Sequence, residues 1–183
     1  MARVKFTRSV LIGAFSGTIA TIPMTAAMEA VRYWLFGAKP ETFPPRQVAR
    51  AMVERAGLKE FLRPFGEPGL VVFTAATHLG FGTVAGGLYG ALEPLINRRE
   101  SGEAEVLTHS MIRKGDLRAA VAGVGFGMLV WTGSYFGWLP ALGVVKPQGD
   151  HPLRKNAVLG LSHVVWGAAL GVMCHRLQQR DRN

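Results

Sequence analysis

Four stretches of this chain, residues 9–36, 70–92, 119–139 and 156–175, are nearly free of charged side chains, with only Glu29 and Arg32 near the end of the first. Each reaches the roughly 17 to 25 residues that a helix needs to cross a hydrocarbon core about 30 Å thick. In that solvent every backbone N–H and C=O must be satisfied within its own segment, which only a helix achieves for an isolated apolar run. The sequence therefore predicts an all-α fold, an integral membrane four-helix bundle. With 183 residues, 49% of them apolar, 23 glycines and a mean hydropathy of +0.20, it reads as a single transmembrane domain over 1–183.

The bundle reads as two copies of a two-helix unit. THLGFGTVAG at 77–86 and SHVVWGAALG at 162–171 share one frame: Thr77, His78, Phe81, Gly82 and Gly86 match Ser162, His163, Trp166, Gly167 and Gly171. Gly13 and Gly17 correspond to Gly123 and Gly127, Trp34-Leu35 to Trp138-Leu139, Lys39-Pro40 to Lys146-Pro147, and Pro44-Pro45-Arg46 to Pro152-Leu153-Arg154. The halves cover 9–92 and 117–176, with a polar loop at 93–116 between them. Two spans per half return the chain to its starting side, so the repeat is parallel. The first half alone carries an insertion at 46–62, whose apolar Val48, Ala51, Met52 and Leu62 alternate with Arg50, Glu54, Arg55 and Lys59 at helical spacing. Such an amphipathic segment lies along the headgroups, caps the bundle or stands as a solvated loop helix.

The net charge of +9 would suit a nucleic-acid binder, but the basic residues flank the spans. Anionic lipid headgroups are their expected partner, and no nucleic acid is. The basic residues divide almost evenly between the two sides of the membrane. Those of the 39–63 connection are mixed with Glu41, Glu54 and Glu60, whereas Arg3, Lys5, Arg8, Arg176 and Arg180 sit beside the spans. Both termini are thus expected in the cytoplasm, and the protein in the cytoplasmic (inner) membrane. The N-terminus has the basic start and apolar run of a signal peptide, but the run continues to Tyr33, Trp34 and Phe36, so a retained first helix is expected. The single cysteine, Cys174, excludes an intrachain disulfide and a multi-cysteine metal site.

Gly13, Gly17, Glu29, Pro44-Pro45-Arg46, Thr77-His78, His163 and Trp166, taken in order, resemble the pattern of the YagU-like inner-membrane proteins, a family of unknown function. The chain departs from that pattern in its third span, where Trp131 and Tyr135 stand in place of further acidic and histidine residues. The resemblance implies the multi-span topology and brings no reaction with it.

The histidine pair is the principal candidate site. His78 and His163 each lie about eight residues, roughly 12 Å, into their spans, at matching depth and short of the midplane. Ionisable groups at such depth point into a bundle. Gly82 and Gly86, like Gly167 and Gly171, follow at i+4 and i+8 and share the histidine's face, making it a close-packing surface in lipid. The structural reading is that each imidazole hydrogen-bonds a neighbouring helix. Functional alternatives are a haem b held between the two rings and a proton-coupled or solute path that adds Glu29. Zinc lacks a third and fourth ligand. Arg46 and Arg154 are secondary candidates. Pro23 is expected to kink the first helix, with Thr21 and Thr25 serving the carbonyl it frees. Tyr33, Trp34, Trp138 and Trp166 suit the interfacial belt, and His109, His151 and His175 suit loops or span ends. No catalytic triad, phosphate loop or carboxylate pair is present, so the expectation is not an enzyme but a structural or interaction component, with a homo-oligomer or a second membrane protein as possible partner.

Overall fold

The computed structural model describes residues 2–36, 44–96, 114–144 and 153–180. Its elements are α1 (Ala2–Phe36), α2 (Pro44–Arg55), α3 (Lys59–Leu62) with a 3₁₀ turn at Arg63–Phe65, α4 (Gly66–Ile96), α5 (Lys114–Thr132), a π-helical turn at Gly133–Trp138, α6 (Leu139–Ala141) and α7 (Leu153–Arg180). Among the described residues four helical segments are long and apolar enough to cross a membrane, within Lys5–Val31, Lys59–Glu93, Gly115–Ala141 and Asn156–Arg180. The protein is a multi-pass integral membrane protein with an all-α bundle. Large apolar side chains such as Leu11, Val72, Val121 and Leu129 face outward, as lipid contact requires.

Two helix pairs build the bundle, α1 with α4 and α5 with α7, and they meet through α1 and α7. The order around the bundle is therefore α4, α1, α7, α5, and α4 touches α5 only slightly. Each pair closes along glycines. A Cβ at Gly13 would come within 2.6 Å of the Gly90 Cα, one at Gly17 within 2.7 Å of the Gly86 Cα, and one at Gly123 within 3.0 Å of the Gly171 Cα. The backbones approach as far as the absence of side chains permits, which is how helices gain dispersion energy in a solvent that supplies no hydrophobic drive. Thr18 and Thr83 add a hydroxyl contact of 2.7 Å across the first seam.

In the first seam Gly13 lies against Gly86 and Gly90, and Gly17 against Gly82 and Gly86; in the second, Gly123 lies against Gly167 and Gly171, and Gly127 against the His163 carbonyl and Gly167.

Between the pairs, Ala20, Met24, Ala85, Tyr89, Trp166, Leu170 and Cys174 form one buried cluster. A second, nearer α2, contains Met28, Tyr135, Leu139, Val158 and Leu159, with Val48 of α2 packed on it. The insertion folds as a cap. α2 ends in a turn at Gly57, whose φ of +67° suits glycine, and it buries Ala49 and Val53 while Arg50 and Glu54 stay exposed.

Four sequence expectations change. Trp166 is 3% exposed in the core, not in the interfacial belt, and donates its indole N–H to the Gly17 carbonyl at 3.2 Å. Thr21 and Thr25 bond the carbonyls of Gly17 and Thr21, their own i−4 positions, so neither serves the Ile19 carbonyl that Pro23 leaves without its usual donor. The third span is not one continuous α-helix: α5 stops at Thr132, and Gly133 and Gly137 bracket a π turn in which Gly137 leaves helical geometry. Glu93 and Asp116, read as part of the polar loop, lie inside α4 and α5 and are buried. His109, His151 and most of the 93–116 connection lie outside the described residues.

Candidate functional site

Because α4 and α5 stand apart, the side of the bundle toward α2 encloses a cavity of about 930 Å³. α1 supplies Thr21, Met24 and Met28 to its wall, and α4 supplies His78, Phe81 and Val84. Val48 and Met52 of α2 close one end, Ser134, Tyr135 and Trp138 come from the π turn, and His163 and Trp166 from α7. Most of the surface is methionine, aliphatic or aromatic. Phe81, Val84 and Trp138 line the cavity and are themselves exposed. Two ring contacts join α4 to the α5 side: Tyr89 with Phe126 at 5.3 Å, and Phe81 with Trp138 at 6.3 Å.

The structure brings His78 and His163 to this one cavity. His163 is 6% exposed and its Nδ1 lies 2.8 Å from the Leu159 carbonyl. A carbonyl only accepts, so Nδ1 carries the proton, and in the neutral ring Nε2 is an acceptor. The Tyr135 ring stands edge-on to the imidazole at 6.2 Å and 87°. His78 is half-buried. Neither imidazole hydrogen-bonds a neighbouring helix among the described residues, since the one bond that His163 makes is to its own helix.

Tyr135 and Ser134 were not singled out as site residues by sequence. Both lie within the π turn and line the cavity; such turns concentrate at functional sites. The available signal was the pair Gly133 and Gly137 around Ser-Tyr-Phe. By contrast Thr21 and Thr77 line the cavity with hydroxyls already committed to backbone carbonyls.

The remaining candidates lie elsewhere. Glu29 is exposed on α1 and is not among the residues that line the cavity. Arg46 binds Glu67 of α4, with Arg50 3.6 Å from the same carboxylate, and so fastens the α2 cap. Arg55 donates to the Leu142 carbonyl on the opposite wall. Arg154 stands at the start of α7, with its side chain outside the described residues. Gly82 and Gly86 lie in the α1–α4 seam, and Gly167 and Gly171 in the α5–α7 seam. No group of three or more metal-ligating side chains occurs among the described residues.

At the far end of the bundle, which sequence did not mark, Arg176 embraces the buried Asp116 at 2.9 and 3.3 Å. His175, buried there, contacts Gln179 at 2.8 Å, and Gly115 leaves room for its ring. The Arg176–Asp116 pair ties α7 to α5. Comparison with known proteins returns no match: no family model, curated protein or solved structure aligns with this chain.

Proposed function

We propose that this protein is a non-enzymatic component of the cytoplasmic membrane that binds a small lipid-soluble molecule between its two helix pairs. The observation that carries the reading is the cavity itself: about 930 Å³, mostly apolar, and lined by residues of all four candidate membrane spans. Ligand sites elsewhere share this character, an apolar volume of roughly 300 to 1,000 Å³ with a few placed polar groups. A scaffold whose only task was packing would gain by filling that volume, because lost contacts around a void reduce stability. The exposed Arg50, Lys59 and Arg63 on the cap side suit anionic headgroups, which would seat the cap at the membrane surface.

Haem ligation by His78 and His163 is the second reading, favoured by their shared cavity and the free Nε2 of His163. One experiment separates the two. The protein purified in mild detergent is extracted with organic solvent and its extract compared with that of Gly80→Phe, a substitution at a cavity position where a Cβ meets no atom within 4 Å. A stoichiometric apolar compound present in the first extract and depleted in the second is expected. Identical extracts would overturn the binding reading, and a Soret band in the visible spectrum, lost in His163→Ala, would replace it with haem.

A further inference from the structure

The polar groups of the cavity specify the ligand more narrowly than its volume does. Three of them are more than nine-tenths buried, Ser134 at 5%, Tyr135 at 7% and His163 at 6% exposure, and all three line the cavity. Among the described residues no protein group bonds the Ser134 hydroxyl, the Tyr135 hydroxyl or His163 Nε2, and His78 makes no hydrogen bond. In a membrane interior such groups are costly unless something completes them.

Their polarity is unequal. Ser134 and Tyr135 can donate or accept by rotating a hydroxyl, and His78 can do either by choice of tautomer. His163 cannot choose, because the Leu159 carbonyl holds its proton on Nδ1. Its partner must bring a donor. A ketone or quinone carbonyl, an ester or a hydrocarbon leaves Nε2 unpaired, whereas a hydroxyl pairs with it and accepts from Tyr135 or Ser134 in return.

The walls select the body that carries the hydroxyl. Phe81, Tyr135, Trp138 and Trp166 present aromatic surface, and Met24 and Met28 present polarizable sulfur. Flat rings gain most from such walls. Val84 lines the cavity and is exposed, and α4 touches α5 only slightly, which leaves a path there for a tail that remains in the bilayer.

From this hydroxyl-demanding acceptor set among aromatic walls, we infer that the cavity binds a phenolic lipid of the hydroquinone type, ring inward against His163 and Tyr135 and alkyl tail outward between α4 and α5. The inference rests on the binding function proposed above and names its ligand class. The reduced form is the one recognised, since oxidation to the quinone removes the donor that Nε2 requires.

Cys174 supplies the measurement. It is the single cysteine and is fully buried, so its labelling by a fluorogenic maleimide during heating reports unfolding. Under anaerobic conditions the detergent-solubilised protein is titrated with decylubiquinol, decylubiquinone and oleyl alcohol, and affinity is taken from the concentration dependence of the midpoint. Decylubiquinol is expected to bind about tenfold or more tighter than decylubiquinone, the ratio that one unpaired buried acceptor produces. His163→Leu should bring that ratio close to one while Gly80→Phe weakens both probes together. Equal affinity for quinol and quinone, or tighter binding of oleyl alcohol, overturns the phenolic class but leaves a lipid-binding cavity. Midpoints that respond to no probe, or respond alike in the native chain and Gly80→Phe, overturn the binding function as well.

Discussion

The indole of Trp166 on α7 reaches across to the backbone of Gly17 on α1, its Nε1 3.2 Å from a carbonyl oxygen that also accepts the Thr21 hydroxyl at 2.9 Å. That one carbonyl lies in the glycine seam of the first pair and at the contact between pairs, and both of its side-chain donors, Trp166 and Thr21, line the cavity. Phe126 lies beside the same indole, with ring centroids 6.2 Å apart and planes at 30°.

Trp166→Phe should therefore loosen the junction between the two pairs rather than the membrane anchoring. The loss combines a cross-helix hydrogen bond with the volume of the missing ring, about 1 to 2 kcal/mol in all. Thermal unfolding followed by Cys174 labelling would measure it. A change no larger than that of Trp34→Phe, where the side chain is 82% exposed, would contradict the central placement.

Leucine at the seam glycines should be poorly tolerated. At Gly82 and Gly167 even a Cβ would overlap the facing helix, on Thr21 Oγ1 in the first case and the Gly123 carbonyl in the second. Overpacking of this kind commonly costs about 1 to 3 kcal/mol, and backbone opposing backbone leaves little room to yield. Gly125, where a Cβ meets nothing within 4 Å, provides the control. Folded yield of Gly82→Leu and Gly167→Leu should fall well below that of Gly125→Leu; three equal yields would remove the seams from the account.

His78→Ala and His163→Ala should be additive in the stability of ligand-free protein, to within about 0.5 kcal/mol. No hydrogen bond joins the two rings, and the bond His163 makes is local to its own helix. In the presence of a ligand that both touch, the same double-mutant cycle should become non-additive, because the first substitution already removes part of the shared site. Strong coupling without ligand would indicate a direct link or a retained cofactor.

The orientation follows from basic residues abutting the spans at both ends of the chain. A cysteine introduced at Ser101, between the second and third spans, is expected to react with an impermeant maleimide only after the cytoplasmic face is made accessible, against the buried Cys174 as an unreactive background. Labelling in intact cells would reverse the topology.

The four spans were legible because lipid imposes a one-dimensional rule: a run of apolar residues long enough to cross must be a helix, whatever its neighbours do. Gly82 and Gly86, like Gly167 and Gly171, could be read as a packing face for a similar reason, since spacing along one helix decides what shares a side. The same rule explains the misplacement of Trp166, because composition favours tryptophan at interfaces while burial depends on what stands opposite. Sequence symmetry also made His78 and His163 equivalent, and the tertiary structure separates them. The His163 ring is buried and bonded to its own helix, whereas the His78 ring is half-buried and makes no hydrogen bond. The gap between α4 and α5, the cap contributed by α2 and the position of Tyr135 on the cavity wall depend on distances between helices far apart in the chain. No local periodicity encodes those distances, so the chain alone determined that there would be a membrane bundle with histidines inside it, and only packing determined that the bundle would contain a cavity for them to line.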